Sequence, residues 1–256
     1  MRKLINDSPA RSSSKPAFTR LELVTVLAAL ALLTAIALPG LATSRPRSEQ
    51  AACFNNLRRI GRAFQEWASD HGDRNPWVTP ASEGGTYVGY GNPTPSWALR
   101  GNAWFQIGTI SNELGTPKLL VCPSDWGVGA PRRVATDFSY TNANGGFFAP
   151  GFRNNALSYT IGLHSFAGAS RAILSGDRHI RWDVVNGSCS YGGPALICTI
   201  NGGSLSVAWT NAIHRETGNL LLNDGRVEQL TSSGLQHSAD ISSHNVGGLG
   251  NHILAP

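Results

Sequence analysis

Charged side chains are scarce in this sequence, at 14% of its 256 residues, and only 16 of them are acidic. No loop gathers enough Asp and Glu to indicate a dedicated calcium site, so no cofactor is predicted and Ca2+ is left open. The formal charge of +5 is unevenly placed, because residues 1–17 carry four basic side chains and one acid. The remaining +2 on residues 18–256 is too little for a nucleic-acid-binding surface. Nucleic acid is therefore excluded as a partner.

The motifs of the common enzyme classes are missing as well. Paired glycines match neither a phosphate-binding loop nor a dinucleotide-binding fingerprint, and they are typical of turns; they lie at residues 84–85, 145–146, 192–193 and 202–203. The sequence contains no serine nucleophile elbow and no zinc-protease helix. It thus predicts a protein that is not an enzyme.

Cysteine is limited to four residues, and none of them shows the two-residue spacing that is typical of zinc sites. No zinc site is therefore predicted. An even number of cysteines suggests disulfides formed in an oxidising compartment. Cys189 and Cys198 bracket a turn-rich Gly-Gly-Pro segment, which favours their pairing, and Cys53 would then pair with Cys122. Alternatively, Cys53 remains a buried thiol.

The most prominent feature of the chain is an apolar run over residues 21–38, whose only charged residue is Glu22. A membrane span needs about 20 apolar residues, so a transmembrane helix is predicted over residues 21–41. The basic residues before it indicate a cytoplasmic N-terminus and export of the rest. A secretory signal peptide cut after Ala37 and an uncleaved anchor are the alternatives, and Glu22 argues against the signal peptide.

A second helical pattern follows the apolar run. One apolar stripe recurs at spacings of four and three residues and predicts an amphipathic helix over residues 47–70; its members are Cys53, Leu57, Ile60, Phe64 and Trp67. Gly72 and Pro76 then indicate the end of the helix. The chain is predicted to be α+β, with a leader at 1–17, a long helix at 18–70 and an exported β-rich globular domain at 71–256.

Three residues near the N-terminus form a positional pattern. If Phe18 is counted as the first mature residue, Glu22 is the fifth and Pro39 the twenty-second. This pattern resembles that of type IV prepilins and type II secretion pseudopilins, although Ala17 replaces the usual Gly and Arg20 an apolar residue. The resemblance implies that a prepilin peptidase cuts between Ala17 and Phe18 and methylates the new amine. It also implies that Glu22 pairs with that amine on a neighbouring subunit during assembly.

Segments further along the chain carry a second resemblance. Residues 53–61 read CFNNLRRIG, and His214 is followed by nine residues and then Asp224-Gly225. These segments are similar to the C-x-N-N-L-R-x-I-G and H-x9-D-G motifs of a large prepilin-like family that is abundant in planctomycetes. Residues 121–125 and 172–177, VCPSD and AILSGD, are similar to segments common in such proteins.

The residues of the second motif allow more than one interpretation. Asp224-Gly225 between short apolar runs predicts a β-hairpin, with His214 just before its first strand, where it could hydrogen-bond a loop or the Asp224 carboxylate. A metal-ligand role is the alternative, although spacing dictates no third ligand. Asp177, His179 and Asp183 alternate along one strand face and are weak candidates for a cation site.

Together these features predict a pilin-like lollipop, in which the long helix packs on an antiparallel sheet with Gly-rich loops. The expected function is that of a pilin-like or pseudopilin structural subunit, which a prepilin peptidase processes. It would assemble through its N-terminal helix with other pilin-like subunits in a type II secretion or type IV pilus-like system. A membrane-tethered exported binding module that does not polymerise is the alternative. The expected location is the bacterial inner membrane, crossed once, with the C-terminal domain periplasmic or extracellular.

Overall fold

The computed structural model describes residues 19–87, 99, 101–126, 132–181, 197–200, 207–246 and 251–256. The chain divides into two compact units, Met1–Arg45 and Pro46–Pro256. Its elements are helices together with an antiparallel sheet, so the predicted α+β class is confirmed. The finer assignment, a pilin-like lollipop, stays a prediction.

Helix α1, Arg20–Asp70, contributes to both units. In the first unit its apolar side chains are exposed, from 48% for Val26 to 75% for Leu21. In the second unit the predicted stripe is confirmed, because all five of its members are no more than 4% exposed. The helix ends at Asp70, followed by Gly72 in the left-handed region with φ of 67°.

The described structure contradicts the predicted location in the inner membrane. Within the described residues, no helix combines the length and the apolar character that crossing a bilayer demands. Arg20 just before the apolar run and Glu22 within it lower the apolar character of this end of the helix.

The second unit is built on a six-stranded antiparallel sheet in the order β4-β8-β1-β2-β6-β7. Its strands are β1 Tyr159–Gly162, β2 Ile173–Asp177, β4 Ile197–Ile200, β6 Thr217–Leu222, β7 Val227–Thr231 and β8 Asn251–Leu254. A two-stranded ribbon is formed by β3 Ile180–Arg181 and β5 Ala208–Trp209. The other α-helices with described bounds are α2 Ala103–Gly108, α3 Ser111–Leu114 and α4 Ser232–Asn245.

Both faces of the sheet are covered, because successive strand residues point to opposite sides. On one face, Ile161, Leu174 and Leu221 share a core with the buried stripe of α1. On the other face, Leu220 and Leu222 pack with Leu235 and Ala239 of α4; Ile173 and Ile253 join this second core. The sheet therefore lies between α1 and α4, and α4 was not predicted.

Gly162 is required by the close approach of β1 to β2. A Cβ at this position would lie 1.9 Å from the carbonyl oxygen of Ile173, which belongs to the backbone and cannot rotate away. We expect Gly162→Ala to lower the free energy of unfolding by about 3 kcal/mol, as measured by urea denaturation.

The matched comparison is Gly61→Ala on α1, where a Cβ would meet the terminal Cδ1 of Leu221 at 2.9 Å. That methyl group can rotate, and alanine gains about 1 kcal/mol of helix propensity over glycine. The net change for Gly61→Ala is therefore expected to stay below about 1 kcal/mol. Equal losses in the two variants would contradict the backbone clash at Gly162.

Candidate functional site

Four sequence segments that stand apart in the chain meet in one buried place. Cys53 of α1 and Cys122, which follows the 3-10 helix Pro117–Leu120, form a disulfide with their Cα atoms 5.0 Å apart. His214, in the loop before β6, places its Nε2 3.4 Å from Cys122 Sγ and 3.5 Å from Oδ2 of Asp177, the last residue of β2. We call Cys53, Cys122, Asp177 and His214 the motif cluster, because each belongs to one of the motif segments.

Asp177 is a fully buried carboxylate. Its Oδ2 accepts hydrogen bonds from the backbone N–H of Asn219 at 2.7 Å and from Asn219 Nδ2 at 3.0 Å. Its Oδ1 has no hydrogen-bond partner among the described residues. Burial raises the pKa of Asp177 to about 7, against the opposing effect of the Asn219 hydrogen bonds. The side chain therefore holds a proton more firmly than an ordinary carboxylate does.

His214 is buried beside this carboxylate, with 7% of its surface exposed. Burial lowers its pKa to about 4, although the negative charges of Asp125 and Glu49 act in the opposite direction. The two residues that follow it, Arg215 and Glu216, have φ of 53° and 62°, a conformation that is unfavourable for side chains other than glycine. A strained backbone conformation persists only where the surrounding structure enforces it. The position of His214 is therefore set by the structure around it.

A second histidine lies next to the motif cluster. His179 is buried, and its Nε2 donates to the carbonyl oxygen of Thr217 at 3.2 Å. Its ring is 5.9 Å from that of His214 and 5.2 Å from that of Trp209. Burial lowers the pKa of His179 to about 4. Two adjacent imidazoles are therefore neutral at neutral pH.

An ion-paired carboxylate completes the polar surroundings. Arg178 donates two hydrogen bonds to Asp125, at 2.6 and 2.7 Å, and Arg132 Nε lies 3.4 Å from the same carboxylate. Burial raises the pKa of Asp125, but the hydrogen bonds and charge of Arg178, aided by Arg132, outweigh it and leave the pKa lowered. Asp125 is thus an ionised carboxylate and differs from Asp177 in its charge state.

The first motif is explained by packing around the disulfide. Asn56 Nδ2 donates to the carbonyl oxygen of Val121 at 3.4 Å and to the hydroxyl of Tyr159 at 3.3 Å. Leu57 and Ile60 are fully buried, and Gly61 lies against Leu221. The segment therefore joins α1 to β6 and to the segment that carries Cys122.

The second motif is divided between the two ends of β6. Asp224 and Gly225 form the turn of the predicted β6–β7 hairpin, and Asp224 accepts hydrogen bonds from Arg226 N and Nε at 3.0 and 2.8 Å. Gly225 has φ of 85° and lies against the Gln65 side chain of α1. His214 contacts Cys122 and Asp177 at the opposite end of the strand. The suggested hydrogen bond between His214 and Asp224 is therefore not what the structure shows.

Several predicted residues lie outside the part of the chain that the structure describes. These are Ala17, Phe18, Asp183 and Cys189. Cys198 is described only as a backbone position of β4, where it pairs with Ile253 of β8. The cleavage site and the Cys189–Cys198 pairing consequently stay predictions. Of the weak cation candidates, Asp177 and His179 both contact β6, the first through Asn219 and the second through Thr217.

The predicted pairing of Cys53 with Cys122 is confirmed, and Cys53 is not a free thiol. Sequence reasoning missed that His214 and Asp177 lie beside this disulfide, and it missed the partners Asn219 and Arg178. Local spacing cannot reveal this arrangement, since Cys53, Cys122 and His214 come from three separate elements although their ligand atoms lie within 4.8 Å of one another. The available signal was that each motif segment holds at least one residue able to bind a metal. Comparison with models of protein families, with curated proteins and with solved structures finds no match to this chain.

Proposed function

We propose that this protein is a pilin-like structural subunit, of the type IV prepilin or type II secretion pseudopilin class, and that it is not an enzyme. The observation that carries the proposal is the exposed apolar surface on the first part of α1. Nine large apolar side chains are at least 48% exposed there: Leu21, Leu23, Val24, Val26, Leu27, Leu30, Leu32, Leu33 and Ile36. A helix that is apolar on all sides calls for burial against other apolar surface, and neighbouring copies of the same helix supply it.

Glu22 places a carboxylate in the first turn of α1, next to this apolar surface. Its Oε2 accepts hydrogen bonds from Thr19 N at 2.8 Å and Thr19 Oγ1 at 2.9 Å, while Glu22 N donates to Thr19 Oγ1 at 3.3 Å. This is the reciprocal arrangement of a capping box, and the hydrogen bonds from Thr19 lower the pKa of Glu22. An ionised carboxylate at the N-terminal end of the helix suits pairing with the α-amine that cleavage before Phe18 would create on a neighbouring subunit.

Processing is tested by expressing the full chain with a prepilin peptidase and measuring the intact mass of the product. We expect a mass that begins at Phe18, with or without one added methyl group. A product that begins near Leu38 would instead indicate a secretory signal peptide. An intact leader would contradict the proposed processing.

Assembly is tested in the same system with three variants at acidic positions of α1. Glu22→Ala is expected to be cleaved but to form no polymers on sedimentation and negative-stain microscopy. Glu22→Gln retains an oxygen that can accept from Thr19 but loses the charge, and we expect it to fail as well. Glu66→Ala removes an exposed acid from the second unit and should assemble normally. Normal polymers from Glu22→Gln would refute the charge-pairing role.

A binding module that does not polymerise is the second candidate, favoured by a groove of about 580 Å3 in the second unit. Its lining is mostly polar and includes Arg47, Gln50, Asn55 and Gln229. Wild-type protein that is cleaved but stays monomeric at all concentrations would favour this candidate over the structural subunit.

A further inference from the structure

We propose that the reduced form of the motif cluster is a zinc site, in which Cys53 and Cys122 bind as thiolates and His214 binds through Nε2. The two sulfur atoms and this nitrogen lie within 4.8 Å of one another. All three side chains are buried, with exposures of 0%, 1% and 7%. The proposal concerns the second unit alone and is independent of the proposed assembly.

The distance between the sulfur of Cys122 and the Nε2 of His214 is close to that between two ligands of a tetrahedral zinc site. With Zn–S of about 2.3 Å and Zn–N of about 2.0 Å, neighbouring ligand atoms lie about 3.5 Å apart. Cys122 Sγ and His214 Nε2 are separated by 3.4 Å. The two sulfur atoms have to move apart, and breaking the bond between them allows this by side-chain rotation.

The fourth position of the tetrahedron is on the Asp177 side of the cluster. Asp177 Oδ2 lies 3.5 Å from His214 Nε2, and Asp177 Oδ1 is buried with no hydrogen-bond partner among the described residues. A carboxylate oxygen is an accepted zinc ligand alongside thiolate and imidazole. Two sulfur ligands and one nitrogen select zinc over calcium or magnesium, which bind through oxygen.

The surrounding structure holds the ligands in place from three directions. Cys53 is fixed by the buried stripe of α1, and Asn56 of the same helix donates to the carbonyl of Val121, next to Cys122. His214 is held by the two left-handed residues after it, while its carbonyl oxygen accepts from Thr217 Oγ1 at 2.7 Å. Reduction therefore leaves a site whose ligands remain close together.

Reduction of the disulfide and binding of zinc require no protein groups other than the ligands. A dithiol reductant donates two electrons and two protons to the Cys53–Cys122 bond and becomes a disulfide itself, which leaves two cysteine thiols. Zinc then displaces one proton from each thiol, and both protons pass to solvent as the thiolates bind. The cluster would thus hold either a disulfide or a metal ion, according to the redox state.

The experiment uses the full chain with Cys189→Ser and Cys198→Ser, so that only Cys53 and Cys122 can supply thiolates. The protein is reduced with a phosphine, which becomes a phosphine oxide with oxygen from water, in the presence of zinc sulfate. After gel filtration, we expect one zinc per chain by elemental analysis, and none in the sample that was not reduced. With cobalt in place of zinc, we expect thiolate-to-cobalt charge-transfer absorption and the visible bands of four-coordinate cobalt.

Two single-histidine variants in this background decide the assignment. His214→Ala is expected to weaken zinc binding by more than about 100-fold, beyond the upper end of the loss caused by removing an outer-shell partner. His237→Ala, an exposed histidine on α4, should bind like the background protein. Because His214→Ala keeps the disulfide, its folding can be checked by circular dichroism before reduction.

Unchanged zinc affinity in a folded His214→Ala variant would overturn the proposal, since His214 would then not be a ligand. Reduced background protein that takes up no zinc would overturn it too, whether it stays folded or unfolds. Cys122→Ser should lose the charge-transfer absorption, and retention of that absorption would also exclude the assigned ligand set.

Discussion

Replacing Cys122 with serine is expected to lower the free energy of unfolding of the oxidised protein by about 4 kcal/mol. The Cys53–Cys122 disulfide joins residues 69 positions apart, and closing a loop of that length restricts the unfolded chain considerably. It also links α1 to the segment that leads into β1, so its loss loosens the contact between the helix and the sheet. Urea denaturation of both proteins, with a chelator present to remove metal, measures the difference.

The control for this prediction is the wild-type protein with its disulfides reduced. In excess reductant the wild-type protein and Cys122→Ser should agree within about 1 kcal/mol, because neither has the cross-link. Equal stability of the two proteins under oxidising conditions would contradict the bond. A smaller m-value for wild type than for Cys122→Ser is also expected, since the cross-linked unfolded state exposes less surface.

The parts of this fold that sequence could predict are those with a local period or a local turn signal. The stripe from Cys53 to Trp67 predicted which side of α1 is buried, because a helical period depends only on neighbouring residues. Asp224-Gly225 predicted the β6–β7 hairpin for the same reason. Helix α4 was not predicted from the sequence, because its buried face includes Ser238 and Ser242 and its apolar pattern is therefore weak.

The motif cluster could not be predicted from spacing, because it depends on how strands are ordered in the sheet. Asp177 ends β2 and His214 precedes β6, and these strands become neighbours through their antiparallel pairing, in which Gly176 lies opposite Leu220. The expected membrane location failed for a different reason. The prediction rested on the apolar composition of residues 21–41, whereas no helix within the described residues has the length and apolar character needed to cross a bilayer.

The second large effect is expected in the pH dependence of stability, and it arises from three buried groups. The pKa of His179 and that of His214 are each lowered from 6.5 to about 4, and the pKa of Asp177 is raised from 3.8 to about 7. At pH 5 the unfolded chain therefore carries two protons on the histidines, while the folded chain carries one proton on Asp177. Because the unfolded state binds nearly one proton more around pH 5, stability from these groups rises by about 1 kcal/mol per pH unit between pH 4.5 and 6.5.

The Asp177→Asn variant distinguishes the contribution of the Asp177 carboxyl to the pH dependence of stability from that of the two histidines, because these contributions have opposite signs. The raised pKa of Asp177 gives stability that is fully present below pH 3.8 and is lost as the pH rises through 7. Without it, the slope between pH 4.5 and 6.5 should double to about 2 kcal/mol per unit. Relative to wild type, the variant should gain about 3 kcal/mol between pH 4 and 7. Urea denaturation at several pH values measures both quantities.

Asp125→Asn is the matched control, since its carboxylate is also buried but is ion-paired with Arg178 and Arg132. Its pKa is lowered, so the stability that it contributes is complete above its unfolded pKa of 3.8 and is lost only at lower pH. Asp125→Asn should therefore reduce stability by a nearly constant amount from pH 5 to 7 and change the slope much less than Asp177→Asn does. A doubled slope in this variant, or an unchanged slope in Asp177→Asn, would mean that the neutral carboxyl of the motif cluster has been assigned to the wrong residue.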